Sequence, residues 1–108
     1  MITQGDIIKI NLNPTQGHEQ SGFRPVLVIS NNAYHRYTKM AIVCPITNTD
    51  NKFPLHVALD KRAKTTGVIL CEHIRTLDVE ARGYTVVEKV SDETLANVLS
   101  IVKAELDI

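Results

Sequence analysis

His18, Glu19, Gln20, Ser21 and Arg24 fall within seven residues of one loop, which runs from Asn13 to Pro25 between two apolar segments. They bring an imidazole, a carboxylate, an amide, a hydroxyl and a guanidinium together. Cleavage of RNA through its own 2′-hydroxyl calls for such a set: a base for that hydroxyl, charge stabilisation at phosphorus, and an acid for the leaving oxygen. A guanidinium offers a planar fork to phosphate oxygens and stays charged. The frame reads as stiff. Pro14 and Pro25 fix φ near both ends, Gly17 and Gly22 permit tight bends, and Arg24 is biased toward extended backbone by the proline after it. Connections in compact domains usually span about 4–6 residues, and one of roughly a dozen is commonly functional. The plain alternative is a solvated hairpin loop in which Glu19 is a surface carboxylate and His18 a turn residue.

Three further clusters carry chemically useful groups. In Cys44-Pro45-Ile46-Thr47 a proline is expected to end a ladder or to lie on an edge, leaving Thr47 to project its hydroxyl just past the strand. That hydroxyl either caps a turn or points into a cleft. Glu72-His73-Ile74-Arg75-Thr76-Leu77-Asp78 mixes both signs with a histidine. There Arg75 either pairs locally with Glu72 or Asp78, or forms a wall of the same cleft. His56 lies in an alternating segment and is expected to face solvent.

The elements that must position these groups are mostly strands. Asp6–Leu12 alternates, with Ile8, Ile10 and Leu12 on one face. Val26–Ile29 and Met40–Cys44 are short apolar runs that fit covered strands. Leu55–Leu59 alternates again, and Gly67–Cys71 and Tyr84–Val90 complete six candidate strands. Thr47–Lys52 is a turn cluster. Short helical turns are expected at Asn31–Tyr37 and Asp78–Arg82. One long helix follows Ser91, a fitting N-cap, with Asp92 and Glu93 complementing the dipole. Its stripe is Leu95, Val98, Leu99, Val102 and Leu106, which must pack on the sheet. Short strands at this spacing predict a mainly β, α+β fold: a small barrel or strongly curved sheet.

Composition narrows the function classes. The 108 residues suffice for one domain, 44% are hydrophobic, and formal net charge is zero. That argues against coating nucleic acid by bulk charge. The distribution is uneven, however. Ser91–Ile108 carries Asp92, Glu93, Glu105 and Asp107 against Lys103 alone, so the preceding residues hold an excess of three positive charges. No apolar run approaches the roughly 20 residues needed to cross a bilayer. The N-terminus lacks a signal-peptide pattern, so a cytoplasmic location and no membrane partner are expected. Cys44 and Cys71 sit in apolar runs and read as buried, reduced thiols. No metal-ligand spacing, phosphate loop, dinucleotide fingerprint or serine elbow occurs, so neither metal nor cofactor is expected.

Several segments together resemble the MazF/PemK family, the growth-inhibiting toxins of bacterial toxin–antitoxin pairs. They are Gly5-Asp6-Ile7, Asn13 through Gly22 leading into Arg24-Pro25-Val26-Leu27-Val28, Pro45-Ile46-Thr47, Thr66-Gly67-Val68, and Ile74-Arg75-Thr76-Leu77-Asp78. They occur in the family's order and span nearly the whole chain. The resemblance implies an SH3-like curved barrel of about six to seven strands with a C-terminal helix, assembled as a homodimer. It implies a sequence-specific endoribonuclease that cuts single-stranded RNA without metal, leaving 2′,3′-cyclic phosphate and 5′-hydroxyl ends. It also implies an antitoxin partner whose acidic, disordered tail occupies the RNA groove.

The family's central residues fall on Arg24 and Thr47, and its loop carboxylate on Glu19. The RNA-contacting set is expected to be His18, Gln20, Ser21, Phe23, Asn48, His56, His73 and Arg75. The family's acidic-or-amide residue followed by glutamine is here Glu72-His73, so no cleavage motif carries over. A guanidinium is a poor proton donor. Arg24 therefore reads as the charge stabiliser, with Glu19 or His18 carrying protons. Gyrase-poisoning toxins share the barrel but would not need Arg24 and Thr47 together, and a peptide-binding barrel is the remaining alternative.

Overall fold

Period-two patterning becomes one curved antiparallel sheet in the computed structural model, which describes residues 1–49 and 52–108. The strands are β1 (Asp6–Asn11), β2 (Phe23–Val28), β3 (Ala41–Thr47), β4 (His56–Ala58), β5 (Val68–Leu70), β6 (Arg75–Leu77) and β7 (Tyr84–Lys89). They run in the order β4-β5-β3-β2-β1-β7, with β6 paired to β3. Helices α1 (Asn32–Thr38), α2 (Val79–Arg82) and α3 (Asp92–Leu106) connect or close them. The mainly β architecture with a C-terminal helix matches expectation, as do both short helices. The seventh strand, β6, lies in the Glu72–Asp78 stretch, which the sequence reads either as local ion pairs or as a cleft wall. Asp50 and Asn51, within the expected turn at Thr47–Lys52, lie outside the described residues.

Alternation splits the apolar side chains into two cores. Ile8, Ile10, Leu12, Val26, Val28, Ala41, Val43 and Leu77 fill the concave interior, closed at one end by Ile2 and Val79. Ile7, Leu27, Cys44, Ile46, Ile69 and Cys71 face the other way, against Val98 and Val102 of α3. Ile7 and Ile8, each fully buried, enter different cores by strand alternation, and the β1–β7 register shifts between them, a bulge that leaves Val87 of β7 without a partner in the register. Ser91 caps α3 by accepting from the Thr94 N–H at 3.2 Å. The helical stripe is shorter than expected: Leu106 is 58% exposed. Both cysteines are free and buried. Burial pushes the Cys71 thiol up to about 12 and that of Cys44 higher still.

Pro45 departs from expectation. It neither ends its strand nor sits on an edge, because β3 lies between β2 and the β5/β6 pair. On that second side, β6 pairs with Ala41–Val43 and β5 with Ile46 and Thr47. Pro45 falls in the gap between these two partners, where a missing N–H costs no ladder bond.

Candidate functional site

The register of β2 against β3 decides where Arg24 and Thr47 stand. Val28 faces Val43 and Val26 faces Pro45. One pleat further along each strand come Arg24 and Thr47, both on the concave side by alternation. They share the open end of the barrel interior although twenty-three positions apart in sequence. Arg24 is half-buried, and its Nε donates to the Ser21 carbonyl at 2.7 Å. Its two terminal nitrogens carry no hydrogen bond among the described residues and are available to an anion. Thr47 is buried, and its Oγ1 accepts from the Thr49 N–H at 3.1 Å. The turn-capping role is therefore real, while the hydroxyl donates no hydrogen bond among the described residues.

Gly67 explains how Thr47 is approached so closely. Its φ is +117°, and a Cβ there would collide with the Thr47 carbonyl. Only glycine suits both conditions.

Beside this end opens a cavity of about 350 Å³, lined by Leu12, Pro45, the loop residues His18, Glu19 and Gln20, and Glu72, His73, Ile74 and Arg75. Two sequence-distant clusters thus meet across one hollow. Neither Arg24 nor Thr47 lines it, although Pro45, two residues before Thr47 on β3, does. Within the loop, Glu19 Oε1 accepts from the Gln16 N–H at 2.6 Å, so the carboxylate ties its own turn. Gly22 N–H donates to Asn13 Oδ1 at 3.2 Å and its carbonyl accepts from Leu12 N–H at 2.9 Å. His18 is exposed at the tip.

Two arginines hold the loop from outside. Arg75 Nη1 donates to the Leu12 carbonyl at 2.6 Å and Nη2 to the Pro14 carbonyl at 3.1 Å. Arg82 Nη1 donates to the Asn11 and Asn13 carbonyls at 2.8 and 2.7 Å. Arg75 therefore pairs with neither Glu72 nor Asp78, and its fork is occupied by backbone rather than held ready for phosphate. Asp78 instead caps α2, accepting from the Ala81 N–H at 3.0 Å. Arg82 was not among the residues expected at the site. Its position about one helical turn past Asp78 gives no sequence signal, because its partners lie about seventy residues upstream.

His56 also departs from expectation. Its side chain is 7% exposed, and its Nε2 lies 2.8 Å from Glu72 Oε2. A carboxylate only accepts, so Nε2 carries the proton of that bond. β4 pairs His56 with Leu70 of β5, and the Phe53 ring packs edge-on at 5.5 Å, so neighbours that alternation cannot anticipate cover the imidazole. Glu72 Oε1 is buried with no hydrogen-bond partner among the described residues. Glu72 and Ile74 line the hollow as part of the stretch read as a possible cleft wall, although neither was singled out as an RNA contact, and Leu12 and Pro45 were not expected there. His73 is half-buried, 3.9 Å from Glu72. Of the other expected contacts, Gln20 lines the hollow, whereas Phe23 is 66% exposed, Ser21 contributes its carbonyl to Arg24, and Asn48 Oδ1 accepts from Thr66 Oγ1 at 3.0 Å.

Comparison with known proteins follows the same outline. The family model described as PemK-like, MazF-like toxin of type II toxin–antitoxin system matches residues 3–106. Endoribonuclease PemK of Escherichia coli is 39% identical over 100 residues, covering 89% of this chain and 75% of that protein. The crystal structure of MazF from Deinococcus radiodurans is similar with a TM-score of 0.93 at 32% identity, over 99% of this chain and 97% of that one. A MazE–MazF complex from the same organism gives a TM-score of 0.87 at 32% identity, over 99% and 96%.

Proposed function

This chain belongs to the PemK-like, MazF-like toxin family of type II toxin–antitoxin systems, and from that premise we propose that it is a metal-independent, sequence-specific endoribonuclease acting on single-stranded RNA. The observation that carries the proposal is the register that brings Arg24, with its terminal nitrogens unengaged, to the same barrel end as Thr47. Family membership favours RNA cleavage over gyrase poisoning on the shared barrel, and the 39% identical relative is named an endoribonuclease.

In the proposed reaction a ribose 2′-oxygen attacks the adjacent phosphorus. The new 2′-O–P bond forms as the P–O5′ bond breaks, giving a 2′,3′-cyclic phosphate and a free 5′-hydroxyl. The 2′-hydroxyl proton passes to a base, and the departing 5′-oxygen receives a proton from an acid. Arg24 neutralises charge developing on the non-bridging oxygens, where a fixed cation near a half-buried site acts strongly. The Thr47 hydroxyl donates to one of those oxygens. Glu19 and His18, on the loop across the hollow, are the proton carriers. Gln20, Ser21, Phe23, Asn48, His56 and His73 form the surroundings in which flanking nucleotides are held.

The partners follow from the same reading. The chain works as a homodimer in the cytoplasm and is neutralised by an antitoxin whose acidic, disordered tail lies in the RNA groove. A MazE–MazF complex of a 32% identical relative supports that pairing. No helix among the described residues is long and apolar enough to cross a membrane.

The decisive experiment is a digest of a long RNA by the purified protein in excess EDTA, with both product ends mapped. Cuts at one short motif with cyclic phosphate ends, abolished by Arg24→Ala and Thr47→Ala, are expected. Uncut RNA across a broad range of sequences would overturn the proposal. If Glu19→Ala and His18→Ala both retain near-normal cleavage while Arg24→Ala does not, the assignment of proton carriers fails and the nuclease reading stands.

A further inference from the structure

Thr47 stands on a thinly supported strand end. The β2–β3 register stops at Val26–Pro45, so Ile46 and Thr47 reach past the last β2 partner of β3. From there β3 leans on β5, through Ile46–Ile69 and Thr47–Val68. β5 is three residues long, and so is β4 on its other side. β4 in turn ends the strand path. The hydroxyl that faces the scissile phosphate in the proposed reaction therefore depends on the shortest strands of the sheet.

The connection between β4 and β5, residues 59–67, is fastened at two places. At its neck the Leu59 N–H donates to the Gly67 carbonyl at 3.1 Å. Further out it is held by Glu88, half-buried on β7. One carboxylate oxygen of Glu88 accepts from the Lys64 N–H at 3.0 Å. The other accepts from the Thr65 N–H at 2.7 Å and from the Thr65 hydroxyl at 2.8 Å. Bonds to an ionised acceptor are about twice as strong as neutral ones. β7 ends the strand path opposite β4, so this carboxylate ties the two ends of the path together. The residues that follow carry the anchorage to the site. Thr66 Oγ1 donates to Asn48 Oδ1 at 3.0 Å. Gly67 then packs so closely on the Thr47 carbonyl that a Cβ would overlap it.

We propose, on the ribonuclease reading of the site, that Glu88 is a positioning residue for cleavage: it holds residues 64–67, and these set where the Thr47 hydroxyl stands relative to Arg24. Glu88 does not line the RNA hollow. Arg24 sits on β2, and its loop is held by Arg75 and Arg82, so neither depends on this tie. Loss of the tie displaces the Thr47 side of the site alone. A displacement of about 1 Å in such a group costs on the order of a hundred-fold in rate.

The test compares Glu88→Gln with the wild-type chain in RNA cleavage, at a temperature where both are folded. Glutamine keeps the size but turns an amide NH2 toward N–H donors. kcat should fall at least about ten-fold while KM stays within about two-fold. Thr65→Val removes one donor, keeps the Glu88 charge, and should lower kcat in the same direction with KM unchanged. Asn31→Ala is the control for bulk stability: it removes the α1 cap, where Asn31 Oδ1 accepts from the Tyr34 N–H at 2.9 Å, and should lower Tm with both constants intact. In a Thr47→Val background Glu88→Gln should add no further loss, since the group it places is gone. Methyl-labelled threonine gives a readout free of RNA: the Thr47 methyl resonance should move in Glu88→Gln, and that of Thr38 on α1 should not. Unchanged kcat in both variants, an unmoved Thr47 resonance, or losses that multiply in the double variant would each overturn the proposal. A wild-type chain that leaves RNA uncut would sink the ribonuclease reading instead, and the Thr47 resonance would still decide whether Glu88 holds that strand end.

Discussion

Arg75 separates two accounts of the site that look alike in an activity assay. On the sequence it reads as an RNA contact; in the structure its guanidinium holds the loop through the Leu12 and Pro14 carbonyls. Arg75→Met keeps the stem's bulk and removes both bonds and the charge. Leu12 is fully buried, so stranding its carbonyl costs about 1–3 kcal/mol, while the exposed Pro14 carbonyl regains water and costs little. The total is about 2 kcal/mol, which lowers Tm by roughly 8–10 °C for a domain of this size. The loop should loosen, with faster hydrogen exchange at the Leu12 and Gly22 amides, both now tied across its neck. Cleavage should fall with it.

The discriminating readout is the salt dependence of RNA affinity. Each phosphate neutralised on a single strand contributes about 0.7 to the log–log slope. A loop-holding arginine leaves that slope at the wild-type value. A slope reduced by about 0.7, with exchange at Leu12 and Gly22 unchanged, would show Arg75 on a phosphate and refute the positioning argument.

Three further outcomes follow from single residues. Thr47→Val removes the proposed oxyanion donor and the acceptor for the Thr49 N–H. Cleavage in a single-turnover assay should drop at least about a hundred-fold, whereas thermal melting should register a loss of only about 1 kcal/mol. Gly67→Ala forces a Cβ into the Thr47 carbonyl at φ +117°, and denaturant titration should show a loss of at least about 2 kcal/mol. Burial alone would raise the Glu88 carboxyl, but the Lys64 and Thr65 N–H groups and the Thr65 hydroxyl outweigh it and hold it below the ordinary value of 4.5. A lowered carboxyl stabilises fully above pH 4.5 and loses that contribution as pH falls through its folded value. Glu88→Gln should therefore flatten the acid side of the stability profile and leave the slope above pH 5 unaltered.

What the sequence revealed and what it hid divide along the length scale of the interactions. The Ile8, Ile10, Leu12 face and the Ser91 cap rest on neighbours within four residues, and both appear in the structure as read. His56 fails because its partner, Glu72, lies sixteen residues away on another segment. Pro45 fails because its tolerance depends on two different strands meeting β3 on either side of it. Leu106 belongs to the apolar stripe by spacing, yet α3 outruns the sheet beneath it, and spacing carries no knowledge of where a partner ends. At the site, Arg24 and Thr47 were legible as residue types, but their common end of the barrel emerges only from the β2–β3 register.

The arginine clamps also bear on how a loop so rich in polar groups would serve as the proposed site. Residues 12–22 join β1 to β2 without strand or helix of their own. Ordering eleven such residues on arrival of RNA would cost about 1 kcal/mol for each backbone unit, on the order of 10 kcal/mol. A micromolar complex is worth only about 8 kcal/mol in all, so a floppy loop would consume the whole interaction. The bonds from Arg75 and Arg82, with the Glu19–Gln16 and Asn13–Gly22 ties inside, set that cost during folding instead. The Arg24 terminal nitrogens are left over once the frame is satisfied, and on the proposed reading they would meet a phosphate without first being ordered. Arg82→Ala tests the point independently of any charge at the hollow, because Arg82 holds the Asn11 and Asn13 carbonyls and does not line that space. It should raise KM for RNA at least ten-fold, and raise it further together with Arg75→Met. An unchanged KM with the loop amides exchanging freely would show that order before binding is dispensable.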